Sequence, residues 1–222
     1  LISMGLLHNL QIASTLFPER VDSMSINING YVNKYQHARK HAFDVRNELD
    51  WKLKASLALA FAILTAVAAQ VRIYVGSPVP ITLQVFTVLL AGVVLGKWWG
   101  GISQGMYIGM GTAGLHVFSN FQAGPETLTG VTGGYIFGFL IAAFIIGHVV
   151  DTYPKTRKVL PMFGLMFVGI GIIYALGALQ LAFILHLTPA LTFQYGVTPF
   201  IGVDIAKAIG ASVVGTAILP KK

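Results

Sequence analysis

From residue 51 onward the chain runs through six apolar blocks in succession, at 53–71, 81–96, 99–117, 130–150, 159–187 and 203–219. The hydrocarbon core of a bilayer takes roughly 20 apolar residues per helix. Most of the blocks come near that length; the second is short and the fifth long. In lipid every backbone polar group must be bonded internally, which leaves only helices or a closed barrel. The blocks are apolar continuously rather than at alternate residues, so they are read as helices. The expected fold is an all-α integral membrane protein, a bundle of six transmembrane helices. Charge usage points the same way: 10% of residues are charged, against about 25% in soluble domains.

Residues 1–50 differ from the rest, and the chain is divided into a polar N-terminal extension, 1–50, and a membrane domain, 51–222. The extension carries Arg20, Lys34, Arg39, Lys40 and Arg46 against Glu19, Asp22, Asp44, Glu48 and Asp50, and is neutral overall. Its stretch from Tyr31 to Asp50 is read as a partly ordered tail or a surface helix. Leu1 to Leu10 lack the basic start and cleavage site of a signal peptide. The whole net charge of +7 falls in the membrane domain. There Lys52, Lys54, Lys97, Lys155, Arg157, Lys158, Lys221 and Lys222 all fall on one side of the expected spans, with only Arg72 and Lys207 on the other. Basic loops stay in the cytoplasm, so both termini are expected there and the protein in the cell membrane. The positive charge is thus topology, with no nucleic acid implied as a partner.

The outward connections, Arg72–Pro80, Phe118–Thr129 and Thr188–Gly202, are longer and richer in Pro, Gly, Asn and Thr than the inward turns. Long irregular loops on a rigid scaffold are where binding sites sit. In Gly76-Ser-Pro-Val-Pro-Ile-Thr-Leu-Gln84 two prolines fix an extended segment, with Thr82 and Gln84 expected in the first turn of the second helix and Gln84 turned inward. Asp204 and Lys207 stand three residues apart, on one helical face. Charges inside a span cost roughly 2.5–3.5 kcal/mol each on insertion scales and usually mark function. Asn120 adds an amide able to donate and accept, and Phe118, Phe121 and Tyr135 are candidates for an apolar wall. In the first helix Ala58, Ala62 and Ala66 form a small-residue stripe of the kind that lets membrane helices approach closely. It suits either a docking face for another subunit or packing within the bundle.

Other signals do not hold. Gly109-Met-Gly-Thr-Ala-Gly114 fits a dinucleotide fingerprint but follows no strand. Gly92 to Lys97 lacks the spacing of a P-loop and has Trp98 where Ser or Thr should follow, so no ATP site is encoded. The chain has no cysteine, and its six histidines show no ligand spacing. No metal, cofactor or catalytic residue is expected.

The stretches Pro78-Val-Pro-Ile-Thr-Leu-Gln84, Gly114-Leu-His-Val-Phe118, Thr132-Gly-Gly-Tyr135 with Gly138-Phe139, Tyr174-Ala-Leu-Gly177, and Pro199-Phe-Ile201 leading to Asp204 and Lys207 occur in an order that resembles BioY, the biotin-specific S-component of energy-coupling factor (ECF) transporters. Thiamine or riboflavin S-components, and an intramembrane enzyme, are the weaker alternatives. The resemblance implies biotin captured under the outward loops, a transmembrane coupling subunit docked on Ala58, Ala62 and Ala66, and two cytoplasmic ATPase subunits. It implies substrate contacts from Gln84, Asn120, Tyr135, Asp204 and Lys207. Asp204 is available to accept from a ureido N–H, and Lys207 to donate to the ureido oxygen or to the carboxylate. The chain departs from the family's prolines at His116 and Val131, and from its Pro-Gly at Gly202-Val203.

Overall fold

The computed structural model describes residues 18–220, with side chains from residue 30 on. Leu1–Leu10 and the last two lysines of the charge count lie outside the described residues. The chain forms two compact units, Leu1–Val45 and Arg46–Lys222. In the first, a helix (α1, Pro18–Glu48) begins and runs on just past the boundary.

Among the described residues the second unit carries eight α-helices: α2 (Trp51–Gln70), α3 (Gln84–Leu95), α4 (Lys97–Thr112), then, after a one-turn helix α5 (Glu126–Thr129), α6 (Gly133–Thr152), α7 (Val159–Leu185), and, after the short α8 (Pro189–Gly196), α9 (Ile201–Ile218). The helices α2, α6, α7 and α9 are long and apolar enough to cross a membrane. Asp50 caps α2 by accepting from the Lys52 amide at 3.3 Å. Thr188 caps α8, with Pro189 in the first turn where its missing N–H costs nothing.

Two boundaries differ from the sequence reading. Ile81–Thr82 is not helical but pairs antiparallel with Arg72–Ile73, so Thr82 faces Arg72 across a two-residue ribbon. Pro80 and two β-branched residues favour extended backbone there, and the helix starts only at Gln84. The block expected to reach 117 stops at Thr112, where Gly114 takes φ +97° and turns the chain out of the helix.

The centre of the bundle is α6, packed on α7, α4 and α3; α2 lies on α3 and α4, and α9 on α3 and α7. In α6 61% of the span is buried, in α2 only 28%. Close approach of α6 and α7 depends on Gly138, where a Cβ would lie 2.8 Å from the Ile173 Cα. On the side opposite the long connections, Asp151 ties three segments together. Its carboxylate accepts from the Lys97 amide at 3.0 Å, capping α4, and from Arg46 at 2.6 Å.

Candidate functional site

The first two turns of α9 carry Asp204 and Lys207 into the bundle, 2% and 8% exposed. The spacing of three residues brings the ammonium to 2.6 Å from Asp204 Oδ1. Each ion has a further partner. Lys207 donates to the Thr82 carbonyl at 2.6 Å, and the Tyr174 hydroxyl of α7 donates to Asp204 Oδ2 at 2.7 Å. A second polar group stands at the start of α3. Gln84 accepts from the Thr82 hydroxyl at 3.1 Å and donates to the Tyr107 hydroxyl at 2.8 Å, and Tyr107 donates to the Val117 carbonyl at 3.3 Å. The ribbon that removes Thr82 from the helix therefore places its carbonyl on Lys207 and its hydroxyl on Gln84. Tyr135, from the first turn of α6, donates to the Gly196 carbonyl at 2.8 Å. Its ring occupies the space a Cβ on Gly177 would fill.

Asp204, Lys207, Tyr174, Thr82, Gln84, Tyr107 and Tyr135 line one cavity, whose apolar walls come from Val79, Val85, Ile136, Phe139, Ile173 and Phe200. It holds about 570 Å³ of empty space, counting what opens at its mouth. Its enclosed part is only about 50 Å³, and its make-up, mostly apolar with a few placed polar groups, is that of a small-molecule site. A wider outer compartment is bounded by Tyr74, Pro78, His116, Asn120, Gln122 and Glu126 among others. Pro80, Ser119 and Thr132 border both spaces.

Side chains of Ser77, Tyr135 and Gln70 bond backbone groups of the segments around this mouth. Ser77 donates to the Tyr195 carbonyl at 2.8 Å, joining the first long connection to α8. Tyr135 fixes α8 from inside. Gln70, at the end of α2, donates to the Phe118 carbonyl at 3.0 Å and accepts from the Phe121 amide at 3.2 Å.

Of the residues singled out by sequence, Gln84, Tyr135, Asp204 and Lys207 come together in the inner cavity. Asn120 does not join them: it borders the outer compartment, in a left-handed turn with φ 62°. Phe118 is no cavity wall either; it is fully buried against Tyr107, ring centroids 5.4 Å apart, while Phe121 is exposed under Arg72. Of the two roles open to the alanine stripe, docking another subunit or packing within the bundle, its burial fits the second. Ala58 and Ala62 have no exposed surface and Ala66 is half-buried. They are the residues small enough to let α2 close on α3 and α4, Ala58 meeting Ala91 and Leu95. Tyr107 and Tyr174 join the cavity lining without being among the residues expected there from sequence. Their one signal is a hydroxyl inside an apolar span, which needs a buried partner.

Residues 40–221 match the model of the BioY family. Over 140 residues the chain is 41% identical to a Methanothermobacter thermautotrophicus protein described as "probable biotin transporter BioY", covering 60% of this chain and 89% of that one. It is 40% identical over 154 residues to a biotin transporter BioY of Thermotoga maritima, covering 69% and 88%. To a Pyrococcus horikoshii relative it is 41% identical over 161 residues, covering 72% and 93%. Among solved structures, the S-component for biotin from an ECF-type ABC transporter superposes with a TM-score of 0.69 at 23% identity, covering 76% of this chain and 93% of that one. At that identity the likeness is one of fold.

Proposed function

This chain belongs to the BioY family, and on that premise we propose that it captures biotin as the substrate-binding subunit of an ECF-type transporter. One observation carries the reading: a buried Asp204–Lys207 pair, backed by Tyr174 and Thr82, in the wall of a small, mostly apolar cavity. Two ions at membrane depth are costly to keep, and a pair with both signs satisfied is close to neutral as a whole. It suits a neutral ligand group that donates and accepts side by side. The ureido ring of biotin is such a group, with N–H donors for Asp204 and a carbonyl for Lys207. A free carboxylate placed there would meet the Asp204 charge. The ring therefore takes the pair, its sulfur edge meets Phe139, Ile173 and Phe200, and the valerate tail runs toward the mouth. Thiamine, a cation, is disfavoured beside Lys207.

We assign capture to residues 51–222, since the cavity lining lies between Val79 and Lys207, and leave the polar extension 1–50 outside it. All six apolar helices of that unit are taken to span the cell membrane. The twelve residues of α3 rise only about 18 Å as helix, and the ribbon before it supplies the remaining depth. Both termini then lie in the cytoplasm, on the side of Lys97, Lys155, Arg157 and Lys158. Inward delivery needs a transmembrane coupling subunit and two ATPase subunits, because the chain has no nucleotide motif; it acts without catalysis or a cofactor. The partner contact is assigned to the exposed face of α2, the least buried span, through Ser56, Ala60 and Ile63.

Calorimetric titration of the purified protein tests the reading. Biotin should give saturable heat that is lost in Asp204→Asn, whereas thiamine and riboflavin should give none. Silence with biotin, or saturable heat with either other vitamin, overturns it.

A further inference from the structure

The hairpin Phe118–Gln122 stands between the two compartments, closed by a bridge between its end residues. Asn120 and Phe121 take φ of 62° and 55°, left-handed backbone that side chains other than glycine rarely adopt. A turn of this kind persists when surrounding contacts over-determine it, and Gln70 supplies them, bonding the Phe118 carbonyl and the Phe121 amide on either side of Ser119. Held so, Ser119 borders both the inner cavity and the outer compartment. Its hydroxyl oxygen is buried and has no hydrogen-bond partner among the described residues. Buried polar atoms are nearly always bonded, and this one sits where the inner cavity meets its mouth.

The geometry points to Ser119 as a ligand-binding residue that donates to the acidic tail of the bound vitamin, with Gln70 as the residue that positions it. The inference rests on the biotin reading, in which the ring occupies the Asp204–Lys207 pair and the tail reaches the mouth. A hydroxyl there is a neutral donor: it bonds a carboxylate and leaves no buried positive charge to strand when the ligand departs. Gln70 acts through the hairpin, since its amide, which also accepts from Arg72 at 3.3 Å, does not border the cavity.

The test is calorimetry on the full chain in detergent with two probes, biotin and its fused-ring urea lacking the valerate tail. Ser119→Ala should weaken biotin about tenfold, the worth of one hydrogen bond to a charged group, and leave the ring-only probe unchanged. Gln70→Leu should show the same tail-selective loss, and in the Ser119→Ala background it should add nothing, as expected when one residue acts through the other. Unchanged biotin affinity in Ser119→Ala, or equal losses for both probes, overturns the tail contact. A Gln70→Leu loss of equal size in both backgrounds overturns the positioning role. If the unsubstituted protein binds both probes with equal affinity, the tail assignment alone falls; if it does not bind biotin, the biotin reading falls with it.

Discussion

Replacing Lys207 by Met removes the cation and keeps the length of the side chain. The ammonium makes two short bonds, 2.6 Å each, to Asp204 and to the Thr82 carbonyl, and Asp204 is 2% exposed. Truncating one partner of a buried pair leaves the other charge uncompensated, at a cost of about 3–5 kcal/mol. Tyr174 still donates to Asp204 Oδ2, which favours the lower end of that range. For a chain of this size each kcal/mol moves the melting temperature by roughly 2–4 °C, so Lys207→Met should melt about 6–12 °C lower. The double variant Asp204→Leu/Lys207→Met removes both charges, and such apolar replacements are often neutral or stabilising. It should regain most of the lost temperature, yet bind no biotin. Thermal unfolding and calorimetry on the same detergent preparations read both quantities. A single variant that melts with the unsubstituted protein would refute the buried ion pair, and a double variant that binds biotin normally would refute its place in the site.

Two further outcomes follow from the packing. Ala62→Leu overfills the contact of α2 with α3 and α4 and should cost about 1–3 kcal/mol, whereas Ala60→Leu, on the exposed face, should leave melting unchanged and impair co-purification with a coupling subunit; equal melting losses in both would refute the orientation of α2. Asp151→Ala removes both the cap on Lys97 and the partner of Arg46, a pair with side chains 16% and 30% exposed. Given the modest worth of part-exposed pairs and of caps, the loss should be about 1–2 kcal/mol and shrink in high salt, and a salt-independent loss would assign the effect to the cap alone.

The apolar blocks coincide with α2, α3, α4, α6, α7 and α9 to within a few residues, except where Thr82 and Gly114 redirect the chain, because helix length and hydrophobic content are read directly from composition. Which face of each helix looks inward is another matter. In α2 the buried residues are Ala58, Ala62, Thr65, Ala68 and Ala69, and the exposed ones include Leu59, Ile63 and Val67. Lipid is as apolar as a protein core, so no polar stripe marks the outside and the small residues go where helices touch. The alanine stripe was ambiguous for that reason. Asp204 and Lys207 stood out because two ions in a span need an explanation and their spacing supplies half of it. Tyr107 and Tyr174 were hidden because a tyrosine in a span has an ordinary packing role, and its partners lie 23 and 30 residues away. Asn120 was legible as a polar loop residue, but a left-handed turn decides which compartment it meets.

The latches around the mouth have a common grammar: Ser77 and Tyr135 each supply a side chain to a main-chain oxygen, and Gln70 grips the hairpin by its peptide groups. A peptide oxygen is present whatever residue carries it. The receiving segments around Tyr195 and Gly196 are therefore free to vary in side chain, within what their backbone angles allow, without unfastening the segments around the mouth. The fastening itself resides in three side chains, so tolerance to sequence drift at this surface should be sharply unequal between the two halves of each latch.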